Sequence, residues 1–288
     1  MRKRKTFIIA EAGVNHNGSY KRALQMIDVA KKAGVDAIKF QTFNASELLI
    51  KNAPLANYQK KNKIKNQFQL IKKLELTKKE QKNIKKYCDR KKIIFLSSAF
   101  DINSLKFLKN LNLKIFKIPS GEINNIPYLK EVGSYKKKIF LSTGASELNE
   151  ITLAIKILVD AGTPKKNITV LHCNSEYPTP IEDANLNVVK YLRSKLKLRI
   201  GYSDHTLGLN AAIASVALGA EVIEKHFTLN KKLKGPDHKA SITTDELFHL
   251  VKNIRNLEKA LGKEIKVITK SEKKNQKIIR KSIVASVK

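Results

Sequence analysis

Eight short apolar runs alternate along the chain with longer segments of helical periodicity, and this alternation limits the possible folds more than any other feature. The runs are rich in β-branched and aromatic residues, so each predicts a β-strand. Strands separated by helices indicate a parallel sheet with crossover helices. The predicted strands are Thr6–Ala10, Ala37–Gln41, Ile93–Ser97, Ile115–Ile118, Ile139–Ser142, Ile168–His172, Arg199–Ser203 and Val222–Phe227.

Eight strand–helix pairs in 288 residues fit a closed barrel better than an open doubly wound sheet, although the strand count alone does not exclude the open sheet. Polar residues at the C-terminal ends of the strands favour the barrel, because a barrel collects all eight ends around one pocket. We therefore predict an α/β fold, a (β/α)8 TIM barrel. The polar residues are Glu11; Lys39 and Gln41; Ser97 and Ser98; Lys117 and Ser120; Ser142 and Thr143; His172, Asn174 and Ser175; Ser203, Asp204 and His205; Glu224 and His226.

The chain carries 57 Lys and Arg against 25 Asp and Glu, a formal net charge of +32. Such an excess suits a nucleic acid or an anionic membrane. Only eight of the basic residues are Arg, however, whereas sites that recognise phosphates or bases depend on the bidentate guanidinium group. We interpret most lysines as coating solvated helix faces; a basic surface that concentrates a small anionic substrate is the other interpretation.

Other features of the composition point to a soluble protein of a reducing compartment. No apolar stretch approaches the ~20 residues of a membrane span, and the apolar run after Met1–Lys5 ends too early, at Glu11, for a signal peptide. Cys88 and Cys173 lack metal-type spacing, so neither a disulfide framework nor a zinc site is predicted. We expect a cytoplasmic protein with no nucleic-acid and no membrane partner.

Two predicted strands carry an inward lysine. Lys39 and Gln41 point to the same side, because side chains alternate along a strand. Strands of a parallel sheet are covered on both faces, so a lysine there needs an anion beside it, and Lys117 repeats the pattern. With hydroxyls at neighbouring strand ends, the two lysines predict a cradle for a phosphate or a carboxylate. The hydroxyls belong to Ser120, Ser142, Ser175 and Ser203.

Two histidines follow or end consecutive predicted strands, His205 and His226, and each has a carboxylate nearby in sequence, Asp204 or Glu224. Adjacent strands lie about 4.8 Å apart, so two imidazoles at neighbouring strand ends can bind one metal ion. Few protein ligands, with carboxylate and water oxygens nearby, favour a divalent ion such as Mn²⁺ or Mg²⁺ over structural zinc.

Three loops are further candidates for ligand contact. Glu11–Gly18 and Gly235–His238 place an acid beside glycine at the rim of the pocket, and their histidines, His16 and His238, are candidates to touch ligand. Pro54–Gln69 lies in a long loop after the second strand and is either a lid or substrate wall, or a lysine-rich surface excursion.

The motif series as a whole resembles the sialic acid synthase family, the bacterial N-acetylneuraminate synthases with their legionaminate and pseudaminate relatives. Each motif is weak alone, but together they stand in the family's order and span nearly the whole chain. The resemblance also implies a TIM barrel. The matching segments are Ile8–Gly18, Lys39–Thr42, Lys117–Glu122, Leu141–Gly144, Leu171–Pro180, Gly201–Thr206, Ile223–Thr228 and Gly235–His238.

The resemblance implies condensation of phosphoenolpyruvate with an open-chain N-acylated amino sugar and release of phosphate by C–O cleavage. It implies that His205 and His226 bind the divalent metal, that Glu11 and Glu122 activate water or move protons, and that Lys39 is catalytic. The residues implied for phosphoenolpyruvate are Lys39, Lys117, Ser120, Ser142, Ser175 and Ser203, and those implied for the sugar are Gln41, Tyr177 and Asp237.

The first hypothesis for the product is N-acetylneuraminate, made from N-acetylmannosamine. The alternative is a legionaminate-type synthase that uses a 2,4-diacetamido-trideoxy-mannose. The segment His172–Pro180 suits the neuraminate and legionaminate types better than the pseudaminate type, but it does not separate the first two. A hypothesis of a different class, a basic nucleic-acid-binding protein, leaves the inward lysines and the two histidines unexplained.

Members of this family usually continue into a small antifreeze-like domain that completes the partner's active site in a dimer. We expect residues 1–264 to form the TIM-barrel synthase domain and residues 265–288 to form a linker toward an antifreeze-like domain that this sequence does not contain. The resemblance also implies a homodimer.

Overall fold

The computed structural model describes residues 5–48, 67–276 and 278–281, and in them eight parallel strands close into a barrel in chain order. The last strand pairs with the first, so the sheet has no edge. Every predicted strand overlaps an observed one, and the predicted TIM barrel is confirmed. The strands are β1 Phe7–Gly13, β2 Ala37–Thr42, β3 Ile94–Ala99, β4 Ile115–Ile118, β5 Lys138–Ser142, β6 Ile168–Cys173, β7 Arg199–Asp204 and β8 Val222–His226.

Helices lie between successive strands, and local sequence signals fix several of their ends. Thr77 and Thr243 form capping boxes that start α4 and α10, and Gly34, at φ +80°, ends α1. No helix in the described part of the chain is long and apolar enough to cross a membrane. The helices are α1 Tyr20–Ala33, α2 Ala45–Leu48, α3 Gln67–Leu74, α4 Lys78–Lys91, α5 Ile102–Asn110, α6 Ile126–Ser134, α7 Leu148–Asp160, α8 Val188–Leu196, α9 Asn210–Ala217, α10 Thr244–Ala260 and α11 Lys270–Asn275.

Two segments that the sequence analysis singled out are only partly described. Of the lid candidate Pro54–Gln69, residues 54–66 lie outside the described residues and 67–69 begin α3. Of the proposed linker, residues 265–276 and 278–281 are described; nearly all of them are exposed, and they contain one short helix, α11. The role of this segment as a linker stays a prediction.

Along seven of the eight strands, the side chains that face the barrel interior change from apolar at one position to mostly polar two residues later. A lower layer forms an apolar plug of Ile9, Ala37, Leu96, Ile115, Phe140, Leu171 and Val222. Two positions further along the same strands come the residues Glu11, Lys39, Ser98, Lys117, Ser142, Cys173 and Glu224. Because side chains alternate along a strand, both layers face the same interior. The polar layer therefore lies on the plug at the C-terminal mouth of the barrel.

The outward face of β7 and β8 carries a buried ion pair that the sequence analysis did not anticipate. Lys225 Nζ donates to Asp204 Oδ2 at 2.8 Å and to the Thr206 carbonyl at 2.5 Å. Asp204 Oδ1 accepts from the backbone and the hydroxyl of Thr206. Asp204 therefore faces the helices, and the expectation that its carboxylate supports the histidine site is wrong because alternation turns it away from His205.

We expect Lys225→Met to lower the free energy of unfolding by about 3–5 kcal/mol, because it leaves the carboxylate of Asp204 buried without its cation. Urea denaturation at neutral pH measures this change. The matched control is Lys156→Met, which removes the exposed Lys156–Asp160 pair and should cost less than ~1 kcal/mol. Equal losses in the two variants would contradict the assigned role of the buried pair.

Candidate active site

A cavity of about 540 Å³ opens at the C-terminal ends of the strands. It brings together all the predicted site residues except one: Glu11, Lys39, Gln41, Lys117, Ser120, Ser142, Ser175, Tyr177, Ser203, His205, His226 and Asp237. The exception is Glu122, which is half-buried in a short 3₁₀ turn, where its carboxylate accepts a hydrogen bond from Asn125 at 2.7 Å. A catalytic role for Glu122 stays a prediction that the lining of the cavity does not support.

The floor of the cavity is a cluster of four buried ionisable groups. Lys39 Nζ lies 3.3 Å from Glu11 Oε2 and 3.2 Å from Glu224 Oε2. Lys117 Nζ lies 3.6 Å from the other oxygen of Glu224, which also accepts a hydrogen bond from Ser203 at 2.8 Å. Glu224 therefore joins the two lysines. The sequence analysis noted Glu224 as a neighbour of His226 but did not include it among the site residues.

The two carboxyl groups of this cluster differ in protonation. Burial raises the pKa of Glu11 to about 8, because Lys39 offsets only part of the desolvation and the charge of Glu224 adds to it. Burial acts on Glu224 too, but Lys117, Lys39 and the Ser203 hydroxyl outweigh it and hold the Glu224 pKa well below its usual range. At neutral pH Glu11 is a carboxylic acid and Glu224 a carboxylate.

The pKa values of the two lysines are shifted in opposite directions. Burial lowers the pKa of Lys117, with one close carboxylate to oppose it. For Lys39, the charges of Glu11 and Glu224 outweigh the effect of burial and raise its pKa. Lys39 is therefore the fixed cation of the floor.

The hydroxyl groups of Ser120 and Ser175, two of the serines predicted to bind an anion, lie close to Gly144. Ser120 Oγ accepts a hydrogen bond from the backbone N–H of Gly144 at 2.8 Å. A Cβ atom at Gly144 would lie 2.5 Å from Ser175 Oγ and 3.0 Å from Ser120 Oγ. Gly144 is needed here because any side chain would displace two of the serines that the sequence predicts to bind phosphoenolpyruvate.

The two histidines lie side by side at the mouth, with ring centroids 5.6 Å apart. His205 Nδ1–H donates to the Asn174 carbonyl at 2.6 Å, which fixes the tautomer and makes Nε2 the unprotonated nitrogen, 3.3 Å from Ser203 Oγ. Burial lowers the pKa of His205 to about 4 and that of His226 well below its usual range. Both rings are therefore neutral, and Tyr177 stacks on His205 at 4.1 Å between ring centroids.

This donor set fits a divalent metal ion. His226 Nδ1 is buried without a hydrogen-bond partner and lies 3.9 Å from Asp237 Oδ2. Burial raises the pKa of Asp237 to about 6, so a cation nearby would stabilise its charged form. In the part of the chain that the structure describes, no three His, Cys, Asp or Glu side chains form a complete cluster, so water and substrate oxygens would supply further ligands.

Some polar residues at the strand ends face away from the cavity, contrary to the expected single ring. Ser97 pairs with Thr42, Thr143 with the Leu171 carbonyl, and His172 Nε2 with the Ala184 carbonyl. Like Asp204, these residues occupy positions whose side chains point away from the barrel interior. Inward and outward residues were grouped together in the prediction, because the side that each residue takes depends on where its strand ends.

The loop histidines do not line the cavity, contrary to expectation. His16 is buried, and its Nδ1 accepts a hydrogen bond from the Gly18 backbone N–H. His238 Nε2 lies 3.1 Å from Asn17 Oδ1 and its Nδ1 2.8 Å from Thr228 Oγ1. The contact of His238 with Asn17 joins the loop after β8 to the loop after β1, and so helps to hold the neighbouring Asp237 beside His226.

One side of the cavity is apolar, and none of its residues was among the predicted site residues. It consists of Val14, Phe43, Leu48, Leu70, Ile71, Leu74 and Phe100, which come from loops after β1, β2 and β3 and from α2 and α3. The one available signal was Phe43, two positions beyond Gln41 and therefore on the same side of the extended chain.

A model of the NeuB family matches residues 26–266. The N,N'-diacetyllegionaminic acid synthase of Campylobacter jejuni is 49% identical over 98% of this chain and 85% of that protein. The synthase of the same name from Legionella pneumophila is 41% identical over 96% of this chain and 79% of that protein. The solved N-acetylneuraminic acid (sialic acid) synthetase of Leptospira borgpetersenii, in complex with citrate, matches at 36% identity and a TM-score of 0.84 over 95% of this chain and 91% of that one.

The predicted resemblance to sialic acid synthases is thus confirmed by sequence and by fold. The matched region contains seven of the eight strands and most of the cavity lining. On this evidence the chain belongs to the NeuB family.

Proposed function

We propose that this chain condenses phosphoenolpyruvate with water and the open-chain form of 2,4-diacetamido-2,4,6-trideoxymannose, to give N,N'-diacetyllegionaminate and phosphate. The observation that carries the proposal is the pair of buried lysines, Lys39 and Lys117, beside two neutral imidazoles in one cavity of a NeuB-family barrel. The lysines suit the anionic substrate, and the imidazoles suit a metal ion near the sugar aldehyde.

The choice of acceptor sugar is supported by the relatives. The two that are named N,N'-diacetyllegionaminic acid synthases are 49% and 41% identical to this chain, whereas the matched N-acetylneuraminic acid synthetase is 36% identical. This order favours the legionaminate-type alternative over the first hypothesis, N-acetylneuraminate. N-acetylneuraminate synthesis is the second candidate, and the structural match to that synthetase supports it.

The cluster of charges in the floor supports binding of phosphoenolpyruvate. With Glu11 protonated and Glu224 ionised, the floor holds two lysines but only one charged carboxylate. An anion that enters this buried site therefore finds a net attraction, which is strong because little water screens it. The hydroxyl groups of Ser120, Ser142 and Ser175 line the same cavity and would bind the phosphate or carboxylate oxygens.

His205 and His226 would hold the divalent metal ion, with the Asp237 carboxylate beside them. Such an ion, when bound, acts as a Lewis acid and polarises the aldehyde of the sugar. The chain's own contribution is orientation: Asn174 holds the ring of His205, and Tyr177 packs against both histidines. Gln41 and Tyr177 line the cavity on opposite sides and would position the sugar between them.

Glu11 is the residue that we assign to proton transfer. A Cβ atom at Gly13 would lie 3.3 Å both from Glu11 Oε1 and from the ring of His226, so the carboxyl group is close to the aldehyde site. When C3 of phosphoenolpyruvate bonds to the aldehyde carbon, the aldehyde oxygen needs a proton, which Glu11 donates. The water that adds at C2 then returns one proton to Glu11. The C–O bond to phosphate breaks as the C2 hydroxyl becomes the keto group and passes its proton to the departing phosphate.

We expect the purified chain, supplied with phosphoenolpyruvate and Mn²⁺, to use the diacetamido acceptor in preference to N-acetylmannosamine by roughly 10- to 200-fold in kcat/KM. Phosphate release and mass spectrometry of the nine-carbon acid measure this preference side by side. A preference for N-acetylmannosamine would favour the second candidate instead, and no turnover of either sugar would reject both.

We expect His226→Ala to abolish Mn²⁺ binding, because it removes one of the two neutral nitrogen donors. Isothermal titration of the protein with Mn²⁺ measures this loss, and thermal melting checks that the fold is intact. The matched control is His249→Ala, on the exposed face of α10. An unchanged Mn²⁺ titration of His226→Ala would refute the role of His226 as a ligand.

We expect kcat to fall as the pH rises through about 8, because the Glu11 carboxyl, with its raised pKa, loses the proton that the aldehyde oxygen needs. Glu11→Gln should lower kcat by about 10²- to 10⁴-fold and remove this alkaline limb. Steady-state rates between pH 6 and 10 test both points. If Glu122→Gln removes the limb and Glu11→Gln does not, the proton-transfer role belongs to Glu122.

A further inference from the structure

One side of the cavity is a separate hydrophobic cluster, which we call the apolar wall. It consists of Val14, Phe43, Leu48, Ile71, Leu74 and Phe100, which pack on one another apart from the two larger cores of the barrel. All six residues line the cavity that contains the lysines and the histidines. The wall is thus part of the substrate site.

The wall presents apolar surface to whatever occupies the cavity. Val14, Phe43 and Leu74 are buried at its base, and the rings of Phe43 and Phe100 meet edge to face, with centroids 6.5 Å apart. Leu48 and Ile71 are only partly buried and cover this base on the cavity side. None of the six side chains has a hydrogen-bonding group, so a substrate hydroxyl against them would lose its water without gaining a partner.

The position of the wall relates it to one end of the sugar. In the proposed function, phosphoenolpyruvate binds at the lysines of the cavity floor, and the aldehyde carbon of the sugar, C1, lies at His205 and His226. The wall follows β1, β2 and β3, and Phe43 lies two residues beyond Gln41, which we assign to the sugar. An acceptor that extends from the histidines past Gln41 therefore brings its last carbon, C6, to the apolar wall.

We propose that the apolar wall receives the C6 methyl group of a 6-deoxy acceptor and selects it against an acceptor with a C6 hydroxyl. This inference rests on the proposed function, since it assumes that the aldehyde lies at the histidines. A methyl group fills the apolar surface and loses no hydrogen bond, whereas a hydroxyl must be buried unpaired. Specificity then comes from Leu48 and Ile71 as much as from polar contacts.

The test uses two acceptors that differ at C6 alone, N-acetylmannosamine and its 6-deoxy analogue, with phosphoenolpyruvate and Mn²⁺. We expect the unmodified chain to prefer the 6-deoxy sugar at least tenfold in kcat/KM. Ile71→Thr keeps the branched shape but adds a hydroxyl to the wall, so it should reduce this preference about tenfold. The matched control is Ile94→Thr, an exposed position at the opposite end of the barrel, which should leave the preference unchanged.

The outcomes separate the inference from the function on which it rests. No turnover of either sugar or of the diacetamido acceptor would overturn the proposed function, and the inference with it. Turnover without a preference for the 6-deoxy sugar, or a preference that Ile71→Thr leaves intact, would overturn the inference about the apolar wall but not the proposed function. Leu48→Thr repeats the test at a second position of the wall if thermal melting finds Ile71→Thr unfolded.

Discussion

The contacts of Lys39 with Glu11 and Glu224 are the interaction on which the site depends. Three ionisable side chains lie on an apolar plug, where the charge of any one alone would carry a large desolvation cost. They are tolerated because parallel strands hold them in register: Glu11 pairs with Lys39 across β1 and β2, and with His226 across β1 and β8. Closure of the barrel thus brings the first and last strands together and completes the charge cluster.

The same cluster explains why two chemically identical carboxyl groups differ in function. Glu224 has two lysines and the Ser203 hydroxyl around it, whereas Glu11 has Lys39 as its principal partner. One stays charged and holds the lysines in place, and the other keeps a proton that can be transferred. Because both lie on one floor, the proposed binding of an anion by the lysines and the proposed proton transfer from Glu11 would be electrostatically coupled.

The sequence predicted the barrel and most of the site, because both follow from the period of two along short strands. Lys39, Lys117 and Glu224 face inward as alternation requires, and all lie on the cavity floor. The strand ends were harder to predict, because the polar residues there were grouped without regard to alternation. Asp204 follows the inward Ser203 and therefore lies on the outer face, in a buried pair with Lys225. The apolar wall was missed because its residues come from five segments that only the fold brings together.

The burial of the lysines shows how much of the excess positive charge bears on the active site. Among the described residues, Lys39, Lys117 and Lys225 are the buried lysines, and each lies close to a carboxylate. The exposed lysines face water, where a charge is screened within about 10 Å at ordinary ionic strength. Their number therefore says little about the substrate. In the proposed function the attraction for an anion comes instead from the two inward lysines, because protonated Glu11 does not act as a counterion at neutral pH.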